Sequence, residues 1–196
     1  SAAWEGDFVR FTVQKMGAVT KALHKLQPGD PIGMRGPLGN GFPIEAWKGK
    51  NLVIIGGGCA FSTLYALTKH VQHPQNRPDF GQIIVIYGAR SSGLCMYKHD
   101  IQSWYKREDM EVHQAIDIPE EDWTHHVGYV PDVGQQVAPS PVNAVAVVCG
   151  PPIMTKFTLP ALVQLGFQPE AIFTSLEKRM KCGIGKCGRC NIGSKY

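Results

Sequence analysis

Residues 51–58 read NLVIIGGG, four apolar residues in a row followed by three glycines. An amphipathic helix would place polar residues at regular intervals in such a run, and a half-buried strand would place one at every second position. The bare run suits a strand covered on both faces, the situation of a central strand in a parallel sheet. The pattern recurs in "QIIVIYGAR" at 82–90 and "NAVAVVCG" at 143–150, with "MEVHQAID" at 110–117 as a further strand between them. Helices are expected over Phe61–Val71 and Tyr97–Lys106. Another should follow Pro151-Pro152, because proline suits a helix's first turn, where the missing N–H has no partner to lose. Alternating strands and helices imply an α/β fold, a doubly wound parallel sheet with helices on both faces. Ligands in such sheets bind beyond the carboxyl ends of the strands. Gly56-Gly57-Gly58, Tyr87 to Arg90 and Cys149-Gly150 stand at those ends.

The texture differs before Trp47. Phe8–Val13 alternates apolar and polar residues, as a half-buried strand does. Ala18–Leu26 reads as a short helix stopped by Pro28-Gly29, Pro31–Arg35 as another strand, and 36–41 as a glycine-rich loop. Together they look like the last part of a β-barrel. The expected division is 1–46 for that barrel end, 47–176 for the parallel-sheet domain and 177–196 for a terminal cysteine lobe.

Composition narrows the function classes. A formal charge of +4, from 20 basic and 16 acidic residues, is too mild to point to nucleic acid. The longest uncharged run, Asn51–Thr68, is broken by the triple glycine and is no membrane span. No basic leader precedes it, so the expected location is the cytoplasm. Three of six cysteines crowd the last stretch, which favours metal or redox chemistry over a disulfide framework.

Those three are Cys182, Cys187 and Cys190, in "KRMKCGIGKCGRCNIG". Their x4 and x2 spacing matches the plant-type pattern for a [2Fe–2S] cluster, which uses one more cysteine. Structural zinc prefers paired C-x2-4-C units, and free thiols in a loop are the plain alternative. The intervening glycines allow a tight wrap that aims backbone N–H groups at sulfur. Gly56, Gly57 and Gly58, between a strand and a helix, suit a phosphate cradle, or else tight packing. Cys149 either faces a nicotinamide ring or is an ordinary buried cysteine. Arg90, Ser91 and Ser92 offer donors for a ribose phosphate, arginine being able to bind it bidentately, or form an exposed turn. Gly17 and Thr20 open a helix and form either a pyrophosphate site or a simple cap. The seven histidines show no ligand spacing and receive no role.

Taken in order, these motifs resemble the ferredoxin–NADP reductase superfamily. Within it the chain is similar to the flavin/iron–sulfur electron-transfer subunits of sulfhydrogenases, where it is the gamma chain, of anaerobic sulfite reductase and of dihydroorotate dehydrogenase. "LEKRMKCGIGKCGRCNIG" and "CGPPIM" carry most of the likeness. The resemblance implies an FAD-binding barrel, an NAD(P)-binding α/β domain and a [2Fe–2S] lobe. It places Gly17 and Thr20 at the FAD pyrophosphate, and Gly57, Gly58 and the residues after them at the nicotinamide dinucleotide. Cys149, followed by Gly150, falls beside the nicotinamide, and Cys182, Cys187 and Cys190 fall on the cluster. The implied activity is that of an NAD(P)H-dependent oxidoreductase subunit, exchanging electrons with a catalytic partner subunit or ferredoxin. Where the family's glycine loop carries a further glycine and a proline, Ala60 and Thr63 stand here. That substitution motivates a second reading, a relay or docking subunit that keeps the cluster without turning over nicotinamide. The chain is expected to be the carboxyl-terminal two-thirds of such a subunit, with the fourth cluster ligand beyond Tyr196. Arg90, Ser91 and Ser92, with no acidic residue ending their strand, lean the expectation toward NADPH.

Overall fold

The computed structural model describes residues 2–5, 7–176 and 181–193, the first four as backbone. The parts of the expected cysteine lobe at 177–180 and 194–196 lie outside the described residues.

The bare apolar runs do form central parallel strands. The main strands are β3 (Asn51–Gly57), β4 (Ile83–Ala89), β5 (Met110–Ile116) and β7 (Ala144–Cys149). Two short strands extend the edges, β6 (His126–Val127) beside β5 and β8 (Ile172–Thr174) beside β7. The six run parallel in the order β6-β5-β4-β3-β7-β8. Neither edge strand, nor the helix after β6, was expected from the sequence.

Alternate residues of β3 serve opposite faces. Leu52 and Ile54 join a core built with α2 (Phe61–Val71) and α3 (Lys98–Trp104). Val53 and Ile55 join a second core, built with α4 (Val130–Val137) and α5 (Pro152–Gln164). Full burial on both sides explains why the run from Leu52 to Ile55 in β3 has no polar residue. Trp47 is 1% exposed and packs between Phe42 and Phe173. The sheet's core therefore reaches back before residue 47.

Residues 2–41 hold less regular structure. Strands β1 (Ala2–Glu5) and β2 (Phe8–Phe11) form an antiparallel pair, and α1 spans Ala18–Leu23. The strand expected over Pro31–Arg35 does not form. Pro31 lacks an N–H, and no described strand lies beside the segment to pair with it, so it runs without bridges. The amino-terminal segment is tied to the sheet domain through β2. Arg10 Nη1 donates to Tyr65 Oη (3.4 Å), Tyr65 Oη donates to Asp100 Oδ2 (3.2 Å), and Thr12 shares a hydrogen bond with Tyr97. The Tyr65 and Tyr97 rings stack with centroids 3.8 Å apart.

Candidate functional site

Helix α2 leaves β3 toward one face of the sheet, and α5 leaves the neighbouring β7 toward the other. Strand order reverses between β3 and β7, so their carboxyl ends open a crevice. This is the place where doubly wound sheets bind ligands. Register puts Gly56 beside Cys149 at its floor.

The three glycines here divide between packing and opening. A Cβ on Gly56 would lie 2.4 Å from Phe61 Cδ2 and 3.0 Å from Leu64 Cδ1, so this glycine admits α2 onto the sheet. A Cβ on Gly57 would lie 2.5 Å from Met154 Sδ, and one on Gly150 2.3 Å from Met154 Cε, so both make room for the first turn of α5. Gly58 differs: its φ is +55°, a left-handed conformation that favours glycine, and no atom stands within 4 Å of where its Cβ would be. It is the glycine that lies open at the crevice. Ala60 packs against the α2-side core, so its methyl has a place outside the crevice. Cys149 is 1% exposed. Its thiol belongs to the core as much as to the strand end.

Strand β4 ends beside this crevice. Arg90 is exposed and Ser91 is half-buried. The Ser92 N–H donates to Glu120 Oε1 (2.9 Å), and hydrogen bonding by Ser92, with Lys98 nearby, holds the Glu120 carboxyl below its usual range. Glu120 comes from the loop after β5. That loop is drawn over the end of β4 by a bond from Asp117 N–H to Ala89 O (3.1 Å). Sequence reading missed Glu120; the acidic run Glu120-Glu121-Asp122 after a strand end was the available signal.

Gly17 and Thr20 form a closed local cap. The Thr20 hydroxyl accepts from the N–H groups of Met16 and Gly17, each at 2.9 Å, and donates to Gly17 O at 3.2 Å. These bonds tie Gly17 and the residue before it to the first turn of the helix, and leave the first-turn N–H groups of Ala18, Val19 and Thr20 out of the cap.

In the cysteine loop, Gly183, Gly185 and Gly188 all take positive φ, near +70°. The turns they make carry backbone donors to sulfur. Cys187 N–H points at Cys182 Sγ (3.4 Å), and N–H groups of Ile184 and Cys187 lower the Cys182 thiol to about 7. Cys187 is exposed, and Cys182 and Cys190 are half-buried. Among the described residues no three His, Cys, Asp or Glu side chains stand close enough together to hold a metal ion. The loop presents a thiolate cradle around Cys182 and not a gathered ligand set. It rests against the amino-terminal segment: a Cβ on Gly183 would meet Leu38 Cδ1 at 2.5 Å.

The other cysteines lie elsewhere. Cys95 is buried, its thiol donates to Ser91 O at 3.7 Å, and burial raises its pKa.

A shallow cavity lies away from the crevice. It holds about 330 Å³ at the edge of β5 and is lined by Tyr105, His113, His125 and His126, among others. His113 Nδ1 and His126 Nε2 are 3.1 Å apart, and His113 Nε2 bonds Glu111 Oε1 at 2.7 Å. The strand-end crevice is the better candidate site, because open α/β sheets bind at strand ends and because the three glycines, Cys149 and Gly150 converge there.

The chain is similar to known oxidoreductase proteins. The "Oxidoreductase NAD-binding domain" family matches residues 54–159, a stretch that runs from β3 into α5. Sulfhydrogenase 1 subunit gamma of Pyrococcus furiosus is 36% identical over 190 residues, covering 95% of this chain and 64% of that protein. The probable dihydroorotate dehydrogenase B (NAD(+)), electron transfer subunit, of Thermococcus kodakarensis is 33% identical, covering 100% of this chain and 72% of that protein. Among solved structures, a ferredoxin NADP+ reductase from Neisseria gonorrhoeae with bound FAD and NADP superposes with a TM-score of 0.63 at 16% identity. That match covers 89% of this chain and 82% of the reductase.

Proposed function

The chain belongs to the oxidoreductase NAD-binding domain family, within the ferredoxin–NADP reductase superfamily, and from that premise we propose that it is part of an electron-transfer subunit joining NAD(P)H, FAD and a [2Fe–2S] cluster to a partner oxidoreductase. The chain spans 64% of the sulfhydrogenase relative. Its partner would be a catalytic subunit of the kind that those relatives' names imply, or a ferredoxin. The assignment of 1–46 to the end of a flavin-binding barrel and of 177–196 to a cluster lobe belongs to this proposal.

One observation carries the reading beyond family membership. The cysteine loop lies against Leu38, in the segment assigned to the flavin lobe. Single-electron passage between a flavin lobe and a cluster lobe would require them to lie close together, and this contact supports that reading.

The residues present suit a nicotinamide dinucleotide and offer thiols for a cluster. Gly58 opens the backbone at the crevice, where a pyrophosphate would accept N–H bonds from the start of α2. Cys149 and Gly150, at the end of β7, would border a nicotinamide. In the terminal loop, Cys182, Cys187 and Cys190 would be cluster ligands, and backbone N–H groups already favour a thiolate at Cys182. Lys181, Lys186 and Arg189 offer positive charge around them. A flavin supplies the conversion between hydride transfer and single-electron transfer, and a [2Fe–2S] cluster supplies a one-electron carrier. The chain's own part is to orient the nucleotide, cover the strand ends and present the loop to a partner.

Ala60 packs against the α2-side core, an arrangement compatible with a nucleotide in the crevice. The test is anaerobic. The full protein, loaded with FAD, should be bleached stoichiometrically by NADH or NADPH. A flavin that neither nucleotide reduces would leave only the relay reading.

A further inference from the structure

Granting that the crevice binds a nicotinamide dinucleotide, we propose that Glu120 makes the site selective for NADH over NADPH. The two cofactors differ only at the 2′ position of the adenosine ribose, a hydroxyl in one and a phosphate in the other. In doubly wound sheets that ribose meets the end of the strand following the glycine loop. There an acidic side chain takes the hydroxyl, or an arginine takes the phosphate. Here that strand is β4, and its exit is Arg90-Ser91-Ser92.

Read along the chain, this exit offers only donors and favours a phosphate. In the folded protein one of those donors is taken. The Ser92 N–H is 2.9 Å from Glu120 Oε1. Glu120 as a residue is partly covered, and its carboxylate faces the surface. The contact is anchored, because the loop carrying Glu120 is tied to β4 through Asp117 N–H and Ala89 O (3.1 Å). The loop brings further negative charge: Asp117, Glu120, Glu121 and Asp122 lie within six residues, against Arg90 and Lys98.

A ribose hydroxyl can donate to the free lone pairs of Glu120, a bond the carboxylate welcomes. A phosphate has no proton to give at neutral pH, carries close to two negative charges, and would need the N–H that Glu120 occupies. It must either displace the carboxylate or sit beside it, and like charges that close are unfavourable. Arg90 offsets part of this cost and does not remove the occupant.

The test uses the full protein carrying FAD, titrated anaerobically with NADH and NADPH, and with 5′-AMP and 2′,5′-ADP as probes of the adenosine end alone. The wild type should prefer NADH by tenfold or more, and 5′-AMP over 2′,5′-ADP. Glu120→Gln should narrow both ratios, and Glu120→Lys should bring them to parity or reverse them, chiefly by tightening the phosphorylated ligand. Far-ultraviolet circular dichroism, FAD content and an unchanged thermal midpoint would certify the fold of the variants, whose changed side chain lies at the surface. A wild type that prefers NADPH, or ratios that stay within twofold in both variants, would overturn the role of Glu120 and leave the crevice assignment standing. Failure of all four ligands to bind the wild type would instead overturn the crevice assignment, and this inference with it.

Discussion

Gly56 and Phe61 occupy one space: a Cβ on the glycine would fall 2.4 Å from Cδ2 of a ring that is fully buried and stacked on Tyr87 with centroids 4.1 Å apart. The ring has core on every side and cannot swing away. Gly56→Ala should therefore cost about 1–3 kcal/mol, the usual range for overpacking a core, read as a lower urea midpoint at unchanged slope. Gly57→Ala meets the sulfur of Met154, the end of a flexible side chain, and should cost less. Equal losses at the two positions would mean that the strand end relaxes as a whole.

A second prediction concerns the opposite end of the sheet. Asp109 accepts from Arg107 Nε (2.8 Å) and Nη2 (2.7 Å) and from Arg77 Nε (2.7 Å), while Arg77 also donates to Phe80 O and Asp109 O. The Arg107 hydrogen bond, helped by Arg77, holds the Asp109 carboxyl below its usual value. A depressed folded-state pKa contributes stability above the ordinary aspartate range, and that contribution is lost as pH falls through the folded value. The carboxylate is 38% exposed, so solvent screening reduces its worth. Asp109→Asn should cost about 1 kcal/mol at pH 7, and the gap from wild type should close in acid. A gap that persists unchanged to pH 3 would assign the loss to packing.

Much of this fold was readable from residue order alone, for a physical reason. The central strands β3, β4 and β7 are covered on both faces, so they admit no polar residue and stand out. The missed elements lack such a signature. Strands β6 and β8 have two and three residues, too few for any period to show. Helix α4 carries Pro131 and Gly134, usually read as breakers; the proline is harmless in its first turn, and Val130, Val133 and Val137 supply the inward face. At the crevice, the residue type marked the right place without separating roles. Gly56 and Gly57 serve packing, and only Gly58 has both positive φ and open space. The acidic run marks Glu120, but its pairing with Ser92, 28 positions away, arises only once β4 and β5 pair in register.

A third prediction addresses how the amino-terminal segment is held. Thr12 and Tyr97 share a hydrogen bond, and Tyr97, at φ +53°, stacks on Tyr65, which bonds both Arg10 and Asp100. Tyr97→Phe removes the bond and keeps the stack. Amide hydrogen exchange in β2 should then quicken several-fold, matching a loss of about 1 kcal/mol, while β3 and β7 keep their protection. Faster exchange across the whole sheet would show that Tyr97 supports global stability and not this junction.

The last prediction separates cluster ligands from buried thiols. Five of the chain's six cysteines fall into two groups by their surroundings, and the sixth, Cys59, is half-buried in the turn between β3 and α2. Cys95 and Cys149 are 8% and 1% exposed, within the sheet's own core. Neither can reach the terminal loop without unpacking β7 or the turn after β4. Cys182, Cys187 and Cys190 share one loop, and the N–H groups of that loop already point at sulfur. In the full protein, purified without oxygen, serine at any of these three positions should lower the iron content well below the two atoms of a [2Fe–2S] centre. It should also weaken or alter the paramagnetic signal of the reduced protein. Cys149→Ala should keep iron and signal. It should cost stability only through the lost packing of one sulfur, about 1 kcal/mol. The pattern has a sharp alternative: if Cys149→Ala loses iron while Cys190→Ser retains it, the ligands come from the crevice, and the terminal loop is only a cover.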